Sequence, residues 1–145
     1  FMAKAELFDV PLLGRLIRAL GAYPVRRGAS DREAIRTATA TLEAGWATGV
    51  FLDGTRQANG RVNAPLPGAA LLAARSGAPL LPVAILNSHR ALGSRQFLPR
   101  LVPIQLRIGT PIPPPVSRRR ADLDATTALL QERINALLDQ GLQHP

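Results

Sequence analysis

Asp53-Gly54-Thr55-Arg56 places a carboxylate, a hydroxyl and a guanidinium within four residues, directly after the apolar run Val50-Phe51-Leu52. That run predicts the end of a buried strand, and the carboxyl ends of strands in α/β sheets are where ligands usually bind. Gly54 has no Cβ, so its backbone can take a positive φ or come close to a ligand. Arg56 beside free backbone N–H groups suits a phosphate, because its planar fork can make two charge-assisted hydrogen bonds to one anion. The same four residues also fit an ordinary Asp-Gly turn with a solvated arginine, and local spacing does not separate the two.

Three other groups could do chemistry. Gly21-Ala22-Tyr23-Pro24-Val25-Arg26-Arg27-Gly28 predicts a short extended segment carrying two adjacent arginines. Side chains alternate along an extended chain, so only one of Arg26 and Arg27 can face a given pocket. Pro82 interrupts the apolar run Leu80–Leu86, which otherwise predicts a strand buried on both faces. A proline there implies an edge, a bulge or a place where the strand meets a ligand. His89 lies in a polar, basic stretch that predicts a loop, where a lone histidine is solvated more often than catalytic.

Composition narrows the chemistry. There is no cysteine and there are two histidines, His89 and His144, which excludes a thiolate nucleophile, a thiolate metal site and a multi-histidine metal site. No Gly-x-Ser-x-Gly occurs, so a serine-hydrolase elbow is absent. The formal charge of +8 is carried almost wholly by arginine, with Lys4 the only lysine. Such a charge attracts polyanions: phosphorylated ligands, anionic lipid or nucleic acid. Aromatic residues make up 4% and no nucleic-acid-binding module is visible, which points away from nucleic acid. No apolar run is long enough to span a bilayer and no signal peptide is seen. The chain opens on Phe1-Met2, and a trimmed domain is the expectation.

The elements that must position these groups follow from periodicity. Asp9 and Pro11 predict a helix start, with Leu12, Leu13, Leu16, Ile17 and Leu20 on one face, Arg15 and Arg18 on the other, and Gly21 as the stop. This is either a core helix with a wet back or a cationic amphipathic helix lying on a membrane. Ser30 and Glu33 form a capping box for a helix with Ile35, Ala38 and Leu42 on its apolar side, ending at Gly45. Ala69–Arg75 predicts a small-residue helix stopped by Gly77. Leu101–Gly109 alternates, which predicts a strand with Ile104, Leu106 and Ile108 inward and Gln105 and Arg107 outward. Residues 111–121, rich in proline and arginine, predict a stiff connector with a solvated Arg118-Arg119-Arg120. Asp122 or Asp124 opens a last helix, with Leu123, Leu130, Ile134, Leu137 and Leu138 on its apolar side and Gly141 at its end. The whole predicts one α/β domain over residues 1–145, a mixed sheet flanked by helices.

Several blocks, in order, resemble the 1-acyl-glycerol-3-phosphate (lysophosphatidate) acyltransferase family: Lys4–Phe8, Gly21–Gly28, Phe51–Arg56, Gly68-Ala69-Ala70 and Ala78–Val83. The likeness covers about residues 1–110 and implies a glycerolipid acyltransferase-like fold. It implies acyl transfer from acyl-CoA or acyl carrier protein to the hydroxyl of a lysophospholipid such as lysophosphatidate, with no cofactor and no nucleic-acid partner. It also implies work at a membrane surface, on the cytoplasmic face, either peripheral or anchored by a segment not in this chain. By resemblance Arg27 and Arg56 hold the acceptor phosphate, Asp53, Gly54 and Thr55 shape that site, and Pro82 lies near the acyl donor. The family's His-x4-Asp block, its general base and orienting acid, is not found here; His89 is followed five residues later by Ser94. The family places that block just before the Lys4–Phe8 segment, so an N-terminal segment beyond this chain, and a fragment inactive alone, are the expectations. Position 52 is Leu where the family has Pro, position 53 is Asp where it has Glu, and Leu66 stands where a Lys is common. The alternative reading is a non-catalytic protein that binds lipid phosphate.

Overall fold

The computed structural model describes residues 2–25, 32–54, 57, 60–91 and 100–143. The chain divides into two compact units, Phe1–Phe51 and Leu52–Pro145.

In the first unit, β1 (Met2–Lys4) pairs in parallel with β2 (Tyr23–Val25) through the register Met2↔Tyr23, Ala3↔Pro24 and Lys4↔Val25. A 3-10 turn at Ala5–Phe8 and helix α1 (Pro11–Ala19) make the crossover that a parallel pair requires. Asp9 was expected to cap α1, but the cap position is Val10, which makes no side-chain bond; Pro11 supplies the preset first turn instead. Gly21 ends the helix as expected: its φ is 76°, and the N–H of Ala22 donates to the Ile17 carbonyl. α1 meets the 3-10 turn through Gly14, where a Cβ would lie 2.4 Å from the Phe8 carbonyl oxygen. Arg18 folds back over the Phe8 ring, 5.1 Å from its centre. The leucines of α1 are left outside. Helix α2 (Arg32–Glu43) buries Ala34 and Ala38 and stops at Gly45, whose φ is 82°. The expected cap residue Ser30 lies outside the described residues.

The second unit holds helix α3 (Gly68–Ser76), strand β3 (Val83–Leu86), the single turn α4 (Ser88–Ala91), strand β4 (Gln105–Ile108) and helix α5 (Arg120–Gln143). Gly77, at φ 71°, stops α3, with its N–H on the Ala73 carbonyl at 2.8 Å. β3 and β4 pair antiparallel from Val83↔Ile108 to Leu86↔Gln105. An isolated bridge continues the pairing at Leu80↔Ile112, with two residues between on one side and three on the other, a one-residue bulge. The Pro/Arg-rich segment is therefore more than a connector. Ile112 is buried and joins Leu52, Ala69 and Leu130 in the core, with Val62, Leu80, Leu129 and Ile134 against it.

Four expectations about strands and helix ends need correction. Val50–Leu52 is not a strand: Leu52 turns its side chain into the core and its carbonyl to the Leu66 N–H at 2.8 Å, while Phe51 is exposed. β3 is buried on one face only, through Ala84 and Leu86. β4 shows the opposite face from the one expected, with Leu106 and Ile108 exposed and Gln105 and Arg107 half-buried. The register explains both, since directly paired residues share a face. Val83, Ile85, Leu106 and Ile108 fall on one side, and Ala84, Leu86, Arg107 and Gln105 on the other. α5 takes the second side, and takes it closely. Gly141 does not end α5 but lies buried inside it, where a Cβ would stand 2.1 Å from Leu86 Cδ2 and 3.0 Å from Arg107 Nε.

Candidate functional site

The Asp53–Gly54 turn is built from its own backbone needs. Gly54 has φ 63°, the left-handed region that an L side chain rarely enters, and the space over its Cα is closed by Leu66 Cδ1, 3.2 Å from where a Cβ would be. Asp53 turns inward along the chain. Its Oδ2 accepts the Asn63 N–H at 3.1 Å and its Oδ1 the Ala64 N–H at 3.3 Å. The carboxylate thus closes the chain between 53 and 64 into a loop. Within that loop Asn63 Nδ2 donates to Gln57 Oε1 at 3.3 Å, and Gly60, at φ 68°, returns its N–H to the Gln57 carbonyl.

The far side of the loop is held by α5. The Val62 N–H donates to Asn135 Oδ1 at 3.0 Å, while the Val62 carbonyl accepts Asn135 Nδ2 at 3.0 Å and Gln131 Nε2 at 2.9 Å. Arg61 forms a two-pronged ion pair with Asp139. The Arg61 hydrogen bond lowers the Asp139 pKa below its ordinary value, and Asp139 raises that of Arg61. Sequence reasoning missed these three residues. Their signal was present: Gln131, Asn135 and Asp139 recur every four residues, next to the apolar Leu130 and Ile134.

Of the residues expected at a phosphate site, Asp53 and Gly54 are placed as above. Arg27, Thr55 and Arg56 lie outside the described residues. Pro82 is fully buried, its carbonyl accepts the Gly109 N–H at 2.9 Å, and a Cβ at Gly109 would stand 3.5 Å from Pro82 Cβ. Among the described residues no group of three or more His, Asp or Glu is arranged to hold a metal ion.

A protein-family model described as acyltransferase matches residues 1–86, through β3. Over 97% of its length the chain is 32% identical to the 1-acyl-sn-glycerol-3-phosphate acyltransferase of Bacillus subtilis, covering 70% of that protein. The chain belongs to the acyltransferase family. A chloroplastic 1-acyl-sn-glycerol-3-phosphate acyltransferase of Brassica napus is 24% identical over 63% of this acyltransferase chain. The crystal structure of the 1-acyl-sn-glycerophosphate (LPA) acyltransferase PlsC from Thermotoga maritima superposes with a TM-score of 0.74 at 24% identity, covering the whole chain. The fold is thus that of a glycerolipid acyltransferase. The chain spans 27% of the Brassica protein and 57% of the Thermotoga one. The family match ends at residue 86, whereas α5, which holds the far side of the loop, lies beyond it.

Proposed function

We propose that the protein acts in phospholipid synthesis, in transfer of an acyl group from a thioester donor, acyl-CoA or acyl carrier protein, to the free hydroxyl of lysophosphatidate or a related lysophospholipid. The family and its relatives support the reaction class. The observation that carries the site assignment is the Asp53 clasp. Because both oxygens of the motif's one carboxylate accept backbone N–H groups, the acid serves the loop and is not the group an anionic ligand meets. The acceptor phosphate then falls to the motif's basic and hydroxyl groups, Arg56 and Thr55, with Arg27 as the second guanidinium. Pro82, buried and bonded through its carbonyl to the Gly109 N–H, would lie near the acyl donor. In such a reaction a general base takes the proton of the acceptor hydroxyl as its oxygen attacks the thioester carbonyl, and the thiol leaves. A His-x4-Asp does not occur within these 145 residues. The same proposal includes work at a membrane, on its cytoplasmic face; the exposed leucines of α1 beside Arg15 support contact with a membrane surface.

The test is Arg56→Ala in the full-length protein. Losing a charge-assisted contact to phosphate should raise KM for lysophosphatidate about tenfold to a hundredfold, with KM for the donor little changed. Unchanged acceptor KM and unchanged acceptor binding would remove Arg56 from the site.

A further inference from the structure

We propose that the end of the β3–β4 pair that carries Arg90, Arg100 and Leu101 is a docking surface for anionic phospholipid. The proposal deepens the membrane reading above and gives the second unit a contact of its own with the bilayer. Local structure builds the surface. β3 gives way to Asn87, whose φ of 64° lies in the left-handed region that asparagine tolerates better than most residues. The Asn87 carbonyl accepts the N–H groups of Arg90 and Ala91, at 2.9 and 3.3 Å, which winds the single turn α4. The Ala91 carbonyl then accepts the Arg100 N–H at 2.7 Å. That bond draws the exit of β3 and the approach to β4 together, so Arg90 and Arg100 share one end of the pair. Both are exposed, and neither is ion-paired with another described residue. Beside them Leu101 is fully exposed and Ile104 half-exposed. Leu106 and Ile108 carry the apolar surface on along β4, at 64% and 65% exposure.

Charge decides what fits there. No Asp or Glu occurs in residues 54–121, whereas ten arginines do. The chain's acids are confined to its first 53 residues and to α5. The two strands and their flanks therefore supply no carboxylate to neutralise this surface, and a partner of like charge, a second copy of this chain included, is disfavoured. Exposed aliphatic side chains beside arginines match a bilayer interface, where guanidinium meets lipid phosphate and leucine enters the acyl region. Nucleic acid fits less well, since its single strands stack on aromatic side chains and none of these six residues is aromatic. A second basic cluster provides an internal reference. Arg118 and Arg119 are also exposed, but they follow Ile112, whose bridge to Leu80 lies at the opposite end of the pair.

Co-sedimentation of the full-length protein with phosphatidylcholine vesicles, with and without phosphatidylglycerol, tests this. Arg90→Gln/Arg100→Gln removes two arginine contacts with an anionic surface and should weaken binding to the phosphatidylglycerol vesicles about thirtyfold. Raised salt should erase that difference. Leu101→Ala should weaken binding about fivefold on both kinds of vesicle, whatever the salt. Arg118→Gln/Arg119→Gln, the same loss of charge at the other end of the pair, should change binding by less than about twofold, because charges more than a screening length from the surface contribute little. All five side chains are exposed, so each variant should keep the melting temperature of the unaltered protein. Unchanged binding in Arg90→Gln/Arg100→Gln overturns the proposal. So does an equal loss from both arginine pairs, since net charge alone would then account for binding. Leu16→Glu, measured in parallel, separates this surface from the membrane reading of α1. If Leu16→Glu weakens binding and the Arg90, Arg100 and Leu101 changes do not, only the new surface fails. If those changes weaken it and Leu16→Glu does not, the new surface stands and the part assigned to α1 falls. If the unaltered protein binds neither kind of vesicle, both fall.

Discussion

Helices α1 and α5 carry similar leucine-rich stripes and use them in opposite ways. α5 turns Leu123, Thr127 and Leu130 into its unit, with Leu130 only 4% exposed, and gives its next stripe, Gln131, Asn135 and Asp139, to a loop. α1 touches its unit through a glycine and leaves Leu12, Leu16 and Leu20 at 83%, 56% and 64% exposure. Periodicity alone reports that a helix has an apolar face. It does not report what covers that face. In α5 the cover is the rest of the unit; in α1 nothing in the described structure supplies it, and the proposed membrane surface would.

The sharpest way to break this contrast is to delete one leucine from each helix. Leu130→Ala removes buried side-chain volume from a core shared with Leu52, Ala69 and Ile112, and should cost about 3 kcal/mol. Leu16→Ala removes surface that is already wet and should change stability by less than about 0.5 kcal/mol. Urea unfolding measures both. Comparable losses would mean that α1 is covered after all. Co-sedimentation with phosphatidylglycerol vesicles should move the other way, weakening for Leu16→Glu and holding for surface changes on α5.

The next effect concerns the glycines inside the two helices. Alanine in a helix interior is intrinsically favoured over glycine by about 1 kcal/mol. At Gly14 the new Cβ would meet the Phe8 carbonyl oxygen, which is backbone and can move only if the turn before α1 moves. Overpacking of that kind costs about 1–3 kcal/mol, so Gly14→Ala should be a net loss. At Gly141 the obstacle is the far end of the Leu86 side chain, with Arg107 Nε beside it. Both can rotate in part, so Gly141→Ala should cost less. A larger loss at Gly141 would show that α5 and β3 are packed with no slack.

Much of this architecture was legible from local rules. Gly21, Gly45 and Gly77 were expected as helix stops and all three adopt positive φ, because a left-handed residue after a helix is a local requirement that glycine meets most easily. The Asp53–Gly54 turn was legible for the same reason. Gly141 misled by the same rule, since a glycine within a helix can answer close packing instead of a stop. The face that β4 presents was not legible either. Alternation told which residues share a side, and only the docking of α5 decides which side is covered. The far tie of the loop was hidden most deeply. Asn135 and Val62 are distant in sequence, and nothing near either one names its partner.

The smallest effect sits at the outer edge of that tie and tests how firmly α5 holds it. Asp139 is drawn below the ordinary carboxylate pKa, chiefly by the Arg61 hydrogen bond. A group whose pKa is lowered on folding contributes stability above its unfolded value and loses it as pH falls through the folded one. The pair should therefore be complete at neutral pH and erode from about pH 4 downward. Arg61, whose pKa is raised, stays charged throughout that range. Both side chains are substantially exposed, so the gain is small and salt-sensitive. Asp139→Asn should lower the melting temperature slightly at neutral pH and remove that part of the acid-limb slope. The corresponding Asp124→Asn, which breaks the pair with Arg120 on α5 itself, should leave amide exchange at Val62 unchanged, whereas Asp139→Asn should quicken it. Equal exchange in both variants would place the whole tie on Gln131 and Asn135.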